Sequence, residues 1–568
     1  MPGLIRQSFH IRVLAGALLG ALISANVVSC GQGGGSPNEA TMASTNTSAS
    51  SAVTSASSAT GTATQVLLQG IVTYDSVKPA VNSTNGSVFL DYNAVAVKPI
   101  RGATIELLDS LNRVVLSTVS DSTGAYAFEV AANLAVKVRV KAQLSASNYS
   151  ISIRDNTQGN AQYVLDGRLE GSGSSEIQTR DLHANLGWNN SNAYTSERQS
   201  APFAILDALY DSLLTVLQVD SSVALPPLDV YWSPNNIANN GDLNLGNIGS
   251  SFYSPGATAI YVLGSANNDT DEFDNTVIQH EFGHFIEDSL SRSESIGGVH
   301  FLGAPLDMRL AFGEGFGNAF AGISSGQPFY LDSNGASQQN GFGFDLENNR
   351  YGGGYYNEGA IQAVLYDLFD QTNEPDDSLS LGFGPILAAL SHSDYLAFDG
   401  FSSIFPFIDV LKRIVPEQEL AINRLLLSQN INGIGPYGLG ETATGSVSFS
   451  LPIYQRLSPG NSVEACSNNN IQEYNGLEVR RFILLEVPTQ GIYTIMAERS
   501  SGIQPSDPDF HMFRQGVWAG LSDSSINGRE VWTRQLEQGT YALSVYEALN
   551  TDEIDATGGL VCFNVTLN

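Results

Sequence analysis

The stretch His280-Glu281-Phe282-Gly283-His284, with Gly313-Glu314-Gly315-Phe316-Gly317-Asn318 further along, decides how the rest of the chain is read. On a helix, H-E-x-x-H sets two imidazoles four residues apart on one face, with a carboxylate beside them. That is the pattern of two zinc ligands, His280 and His284, and a general base, Glu281. With only 7 histidines in 568 residues, chance is a rare source of it. The competing reading is a surface helix with two unrelated histidines, or a buried pair satisfied by hydrogen bonds. Context favours the metal. Asp274 and Asn275 offer N-cap chemistry ahead of the apolar run Val277, Ile278, Phe282, Phe285 and Ile286. Gly283 inside that run costs about 1 kcal/mol of helix propensity, which implies a close neighbour at that point.

A catalytic zinc takes three protein ligands and keeps one open position. Residues 309–321 read as a second helix on which Glu314 and Asn318 share a face. Glu314 is the candidate third ligand, and Asn318 a partner for the free ring nitrogen of a ligand histidine. Alone, Glu314 would be a solvated helix carboxylate, but it sits among Ala, Phe and Gly, where an unpaired carboxylate is costly.

HEFGH followed by GEGFGNAFAG resembles a gluzincin zinc metallopeptidase, closest in pattern to the fungalysin branch of the thermolysin-like enzymes. The stretch 355–368 is similar to the helix that in those enzymes follows the residue stabilising the transition state. Their pattern has a histidine three residues before a glycine; Tyr356 stands there in this sequence. The resemblance implies a zinc endopeptidase acting on proteins or peptides. His280, His284 and Glu314 would hold the Zn2+, Glu281 would be the base, and Tyr356 the oxyanion donor. Tyr351 and Tyr355 remain alternatives to Tyr356, and either of the spare histidines nearby, His300 and His392, could take its place in stabilising the transition state, although neither sits in a matching motif. An aminopeptidase would need an acidic anchor for the substrate amine, and no exopeptidase motif adjoins the zinc helix. The resemblance further implies that residues 258–263, with Ile260 and Val262, form the cleft-edge strand to which an extended substrate adds. The loop Asn267-Asn268-Asp269-Thr270-Asp271-Glu272 carries hard oxygen donors suited to Ca2+; its plain alternative is a solvated acidic loop. The reading from another functional class is an inactive peptidase fold, kept as a scaffold, that binds a partner through flanking β-sandwiches.

Outward from this core the chain changes character. Arg6 and Arg12 precede an apolar run at 13–23 that is too short to span a bilayer comfortably. The sequence Val27-Val28-Ser29-Cys30 resembles a bacterial lipobox, which implies a signal peptide over 1–29 and acylation of Cys30. An ordinary signal peptide is the alternative. Gly31 after the cysteine suits the outer membrane of a Gram-negative cell. Residues 30–64, rich in Ser, Thr, Ala and Gly, read as a flexible tether. No other segment reads as long and apolar enough to cross a membrane. Of three cysteines, lipidation of Cys30 leaves Cys466 and Cys562 as a pair in an oxidising compartment; two free thiols are the alternative.

Residues 65–145 show period-two runs, and Asp121-Ser122-Thr123-Gly124-Ala125-Tyr126-Ala127-Phe128 resembles the turn and strand of a carboxypeptidase regulatory-like β-sandwich. The expected peptidase domain is 146–455, with an amphipathic helix at 201–217 and further helices at 386–390, 404–414 and 417–427. Residues 456–568 return to β and look like a pre-peptidase C-terminal sandwich. The expected fold class is therefore multidomain α+β: an N-terminal β-sandwich, a thermolysin-like metallopeptidase domain and a C-terminal β-sandwich. Charged residues are 15% of the chain, yet the net charge is -31. That balance excludes the clustered cations that nucleic-acid binding needs and suits a solvated, soluble surface.

Overall fold

The computed structural model describes residues 65–568 except 190, 372–378, 472–473 and 552–557. The expected signal segment, Cys30 and the expected tether lie outside the described residues. What is described is multidomain and rich in β-sheet, with a central helical block and an arrangement consistent with β-sandwich domains.

The long strand Ala135–Ala146 alternates buried and part-exposed residues along its length, as a strand with one covered face must. It hairpins into Tyr149–Asp155, and that strand pairs in parallel with Leu228–Trp232. Parallel neighbours need a crossover, and the helix α1 (Ala201–Val219) lies within it. One sheet thus runs from Val114–Val119 through Ala103–Asp109, Ala135–Ala146, Tyr149–Asp155, Leu228–Trp232 and Ala259–Val262 to Phe252–Ser254. The domain boundary expected at 145/146 therefore falls inside a continuous sheet. A second, five-stranded layer built around Gln65–Ser76 packs into the same core, which joins Val66, Ile105 and Val138 to Phe282 and Phe316. Polar contacts reinforce the joint: the buried Asp207 of α1 accepts from the Tyr74 hydroxyl at 2.7 Å and from Arg101 Nε at 2.6 Å. By length and composition α1 is the one helix among the described residues that could cross a membrane. Its apolar face, with Phe203, Leu206, Leu209 and Leu213, is instead buried in this core.

Three helices carry the central motif: α2 (Asn275–Leu290), α3 (Met308–Ser325) and α4 (Glu358–Phe369). Asp307 caps α3 by accepting from Arg309 N, and Asn357 caps α4 by accepting from Ala360 N. Asp274 occupies the N-cap of α2 but makes no cap bond. Its carboxylate accepts instead from the Ser333 backbone N–H and hydroxyl, at 3.0 and 2.7 Å. Helices at Phe383–Leu390, Ile404–Ile414 and Glu419–Ser428 complete the block.

The C-terminal region is a sandwich of a five-stranded and a four-stranded sheet enclosing its own core. Strand Arg480–Val487 is buried almost continuously because it faces two cores. Ile483 and Leu485 point into the sandwich, while Phe482 and Leu484 join the core of the helical block. Arg309 of α3, paired with Asp307, lies over the Phe401 and Phe482 rings. Cys466 and Cys562 sit opposite one another on neighbouring strands and form a disulfide. It closes a loop of 96 residues in sequence, so replacing both cysteines by alanine should cost about 2–4 kcal/mol. Denaturant unfolding of the variant against wild type measures this, and an unchanged midpoint would contradict it.

Candidate metal centre

Helices α2 and α3 touch where neither has a side chain. A Cβ on Gly283 would lie 3.2 Å from the Gly317 Cα, and a Cβ on Gly317 would lie 2.8 Å from the His280 ring. The close neighbour implied by Gly283 is therefore α3 itself. This approach brings His280, His284 and Glu314 together, with one donor atom from each within 4.8 Å of the others. His280 Nε2 is 3.0 Å from His284 Nε2 and 3.2 Å from Glu314 Oε2; His284 Nε2 is 3.4 Å from the same oxygen. His280 Nδ1 lies 2.9 Å from Asn318 Oδ1. The acceptor there fixes the Nδ1–H tautomer and leaves the Nε2 lone pair facing the cluster.

Two imidazole nitrogens and a carboxylate oxygen suit a zinc ion, which sits about 2.0–2.2 Å from such donors. Two Nε2 atoms aimed at each other and at one carboxylate oxygen call for a shared cation or a shared proton. Burial works against the charged form of His284, yet the adjacent Glu314 overrides it and pushes the imidazole up to about 9. Burial raises the carboxyl of Glu281, and for Glu314 the facing His300 and His284 outweigh burial and hold it well below the usual range.

Glu281 Oε2 accepts from the Tyr253 backbone N–H at 2.7 Å. That strand corrects the expected cleft edge. Ile260 and Val262 are fully buried, and Ala259–Val262 is interior, flanked by Leu228–Trp232 and Phe252–Ser254. The chain folds back through a turn at 255–258, where Thr258 has φ 48°, and covers the strand that the sequence suggested was free. Phe252–Ser254 is the edge, and its outward N–H at Tyr253 faces the cluster.

Tyr356 makes no described contact with the three donors. Its ring lies 5.2 Å from that of Tyr355, and its hydroxyl is hydrogen-bonded by the Gly445 backbone. Tyr355 is buried against Phe405, and Tyr351 is exposed. The side chain that does reach the cluster is His300, which sequence reasoning left as a spare. Its Nε2 is 3.3 Å from Glu314 Oε2 and its Nδ1 is 2.8 Å from Glu358 Oε2. Glu358 in turn accepts from Asn318 Nδ2, as does Gln362. Glu358 and Gln362 lie in the stretch 355–368 whose resemblance the sequence showed, but neither was given a role there. A polar pair on an otherwise apolar helix face is the signal that could have found them. His392 caps a short helix at Ser393–Leu396, away from this group.

The loop suggested for Ca2+ is split by the fold. The Asn268 side chain accepts from Ala238 N, and Glu272 turns inward to Arg198 and Trp232. Asp269 and Asp271 instead gather with Asp332, from the strand Phe329–Asp332. Asp274 is beside them, and each of the four keeps a buried carboxylate oxygen without a partner. Burial first, and then their mutual repulsion, raises the carboxyls of Asp269, Asp274 and Asp332 well above the normal range.

No family model matches the chain, and no curated protein does. Among solved structures, the pre-peptidase C-terminal domain of a collagenase from Bacillus anthracis aligns at 11% identity and TM-score 0.16, over 20% of this chain and 94% of its own. CorA, a surface-associated copper-binding protein of Methylomicrobium album BG8, aligns at 11% identity and TM-score 0.16, over 20% of this chain and 98% of that one. A periplasmic lysozyme inhibitor, PliG from Aeromonas hydrophila, aligns at 14% identity and TM-score 0.13, over 20% and 99%.

The contact between α2 and α3 gives a direct test. Gly317→Ala should displace the His280 ring and lower the affinity for added zinc at least tenfold while the far-UV circular dichroism stays unchanged. Zinc binding equal to wild type would show that this contact does not position the ligand.

Proposed function

We propose that the chain is a zinc-dependent endopeptidase. The observation that carries this is the convergence of His280 Nε2, His284 Nε2 and a Glu314 oxygen beside a buried Glu281 that is not itself one of the converging donors. His280, His284 and Glu314 would hold the zinc, which when bound supplies Lewis-acid activation of water and of a carbonyl. Asn318 orients His280 through Nδ1. Glu281, kept in place by the Tyr253 N–H and made more basic by burial, takes the proton of the attacking water and returns it to the departing amine nitrogen. The substrate would lie extended beside Phe252–Ser254, next to Glu281. Cys30, if acylated, would tether the enzyme to the cell envelope, outer membrane or otherwise.

Glu281→Gln keeps the size and hydrogen-bonding reach of the side chain but cannot take up the proton. It should bind zinc like wild type and lose casein cleavage by about 10²–10⁴-fold. A variant that cleaves normally would remove Glu281 from the role of base. A wild-type protein that retains no chelator-removable zinc would support the scaffold reading instead.

We also propose that Asp269, Asp271, Asp274 and Asp332 bind Ca2+, the ion that accepts several carboxylates in a flexible shell. Their unpartnered oxygens support this, because four buried carboxylates without a cation repel one another. Calcium at about 100 times its Kd should raise unfolding stability by about 2.7 kcal/mol, and Asp271→Asn with Asp332→Asn should abolish the increment. Thermal unfolding with and without chelator reads it; a midpoint indifferent to calcium would discard the site.

A further inference from the structure

His300 lies in the connection 291–307 between α2 and α3, and the C-terminal region holds that connection in place. Asn475 is fully buried. Its side-chain amide donates to the carbonyls of Gly297 and Val299, at 3.0 and 2.9 Å. Its own carbonyl accepts from Asp307 N at 2.8 Å, and Leu477 N donates to the Pro305 carbonyl at 2.9 Å. The segment therefore grips the connection on both sides of His300. Gly298, between the two gripped carbonyls, has φ 101° and no room for a side chain against Tyr474 and Asn475.

Both ring nitrogens of His300 lie within hydrogen-bond distance of carboxylate oxygens, Nδ1 to Glu358 and Nε2 to Glu314. The ring therefore bridges the two carboxylates. Glu314 is thereby tied to α4 as well as to its own helix. His300 stands outside the converging donor set of His280, His284 and Glu314 and contacts it through Glu314. Outer partners of this kind orient a ligand and are worth about 10–100-fold in metal affinity.

We infer that the C-terminal sandwich is part of the metal site: Asn475 positions His300, and His300, held by Glu358, positions the Glu314 carboxylate. This rests on the zinc site proposed above. It assigns three positioning residues, Asn475, His300 and Glu358, that neither the H-E-x-x-H motif nor its second helix contains.

The test is zinc affinity of the full chain, measured by competition with a chromophoric chelator. His300→Gln and Asn475→Ala should each weaken binding by about 10–100-fold. The double variant should be within about twofold of His300→Gln alone, since residues acting through one contact do not add. Arg456→Ala, which breaks an exposed ion pair with Glu486 elsewhere in the sandwich, should match wild type. In the metal-free protein, the ring ¹⁵N signals of His300 should move in Asn475→Ala, a change that general destabilisation would not confine to this residue. If that variant does not fold, Asn475→Ser is read in the same way. Wild-type affinity in either Asn475 variant, or losses that multiply in the double variant, would overturn the inference while leaving the zinc site standing. A wild-type chain that binds no zinc would defeat both.

Discussion

Everything at the candidate centre depends on how closely two helices can approach. Gly283 on α2 and Gly317 on α3 remove the side chains that would hold the helix axes apart, and the His280 ring occupies the space that a Cβ on residue 317 would take. Without that approach, the Glu314 carboxylate could not reach the two imidazoles. The glycines are therefore as much a part of the donor set as the residues with ligand atoms. Their cost in helix propensity, about 1 kcal/mol each, is offset by burial of the surrounding aromatic residues Phe282, Phe285, Phe316 and Phe320.

Much of this was legible in the sequence because it is local. Helical spacing placed His280 and His284 on one face, and Glu314 and Asn318 on another, and Asn318 does lie against a ring nitrogen of His280. Period-two runs located the long strands of the N-terminal region and a minority of those in the C-terminal one, and the arithmetic of three cysteines paired the two that are bonded. What the sequence hid was long-range. A hairpin turn decides whether Ala259–Val262 is edge or interior, and nothing in Ile260 or Val262 announces the strand that covers them. The arrival of His300 depends on a connection whose course is set by a segment far along the chain. The division at 145/146 failed because a strand with alternating burial looks the same whether it ends a sandwich or continues a sheet.

Buried charge is the second theme of the molecule. The net charge of -31 is carried mostly on a solvated surface, but some carboxylates lie inside, among them those around Glu314 and those around Asp271. Those around Glu314 are matched by three imidazoles; those around Asp271 have hydroxyl and backbone donors and no cationic side chain among the partners described. The difference separates a site organised by its own side chains from one whose repulsion is relieved by something outside the chain or by protonation.

The strand Arg480–Val487, with one face in each of two cores, has a consequence for timing. A chain is made from its N-terminus, and domains generally fold as they emerge. Here the face made by Phe482 and Leu484, and the grip of Asn475 on Gly297 and Val299, come into existence only after nearly all of the helical block has been synthesised. The body that contains His280, Glu281, His284 and Glu314 must wait, with an apolar surface uncovered, for residues that arrive late. Its interior is complete only once the C-terminal strands are in place, and a chain cut short before residue 475 lacks the contacts that finish the centre.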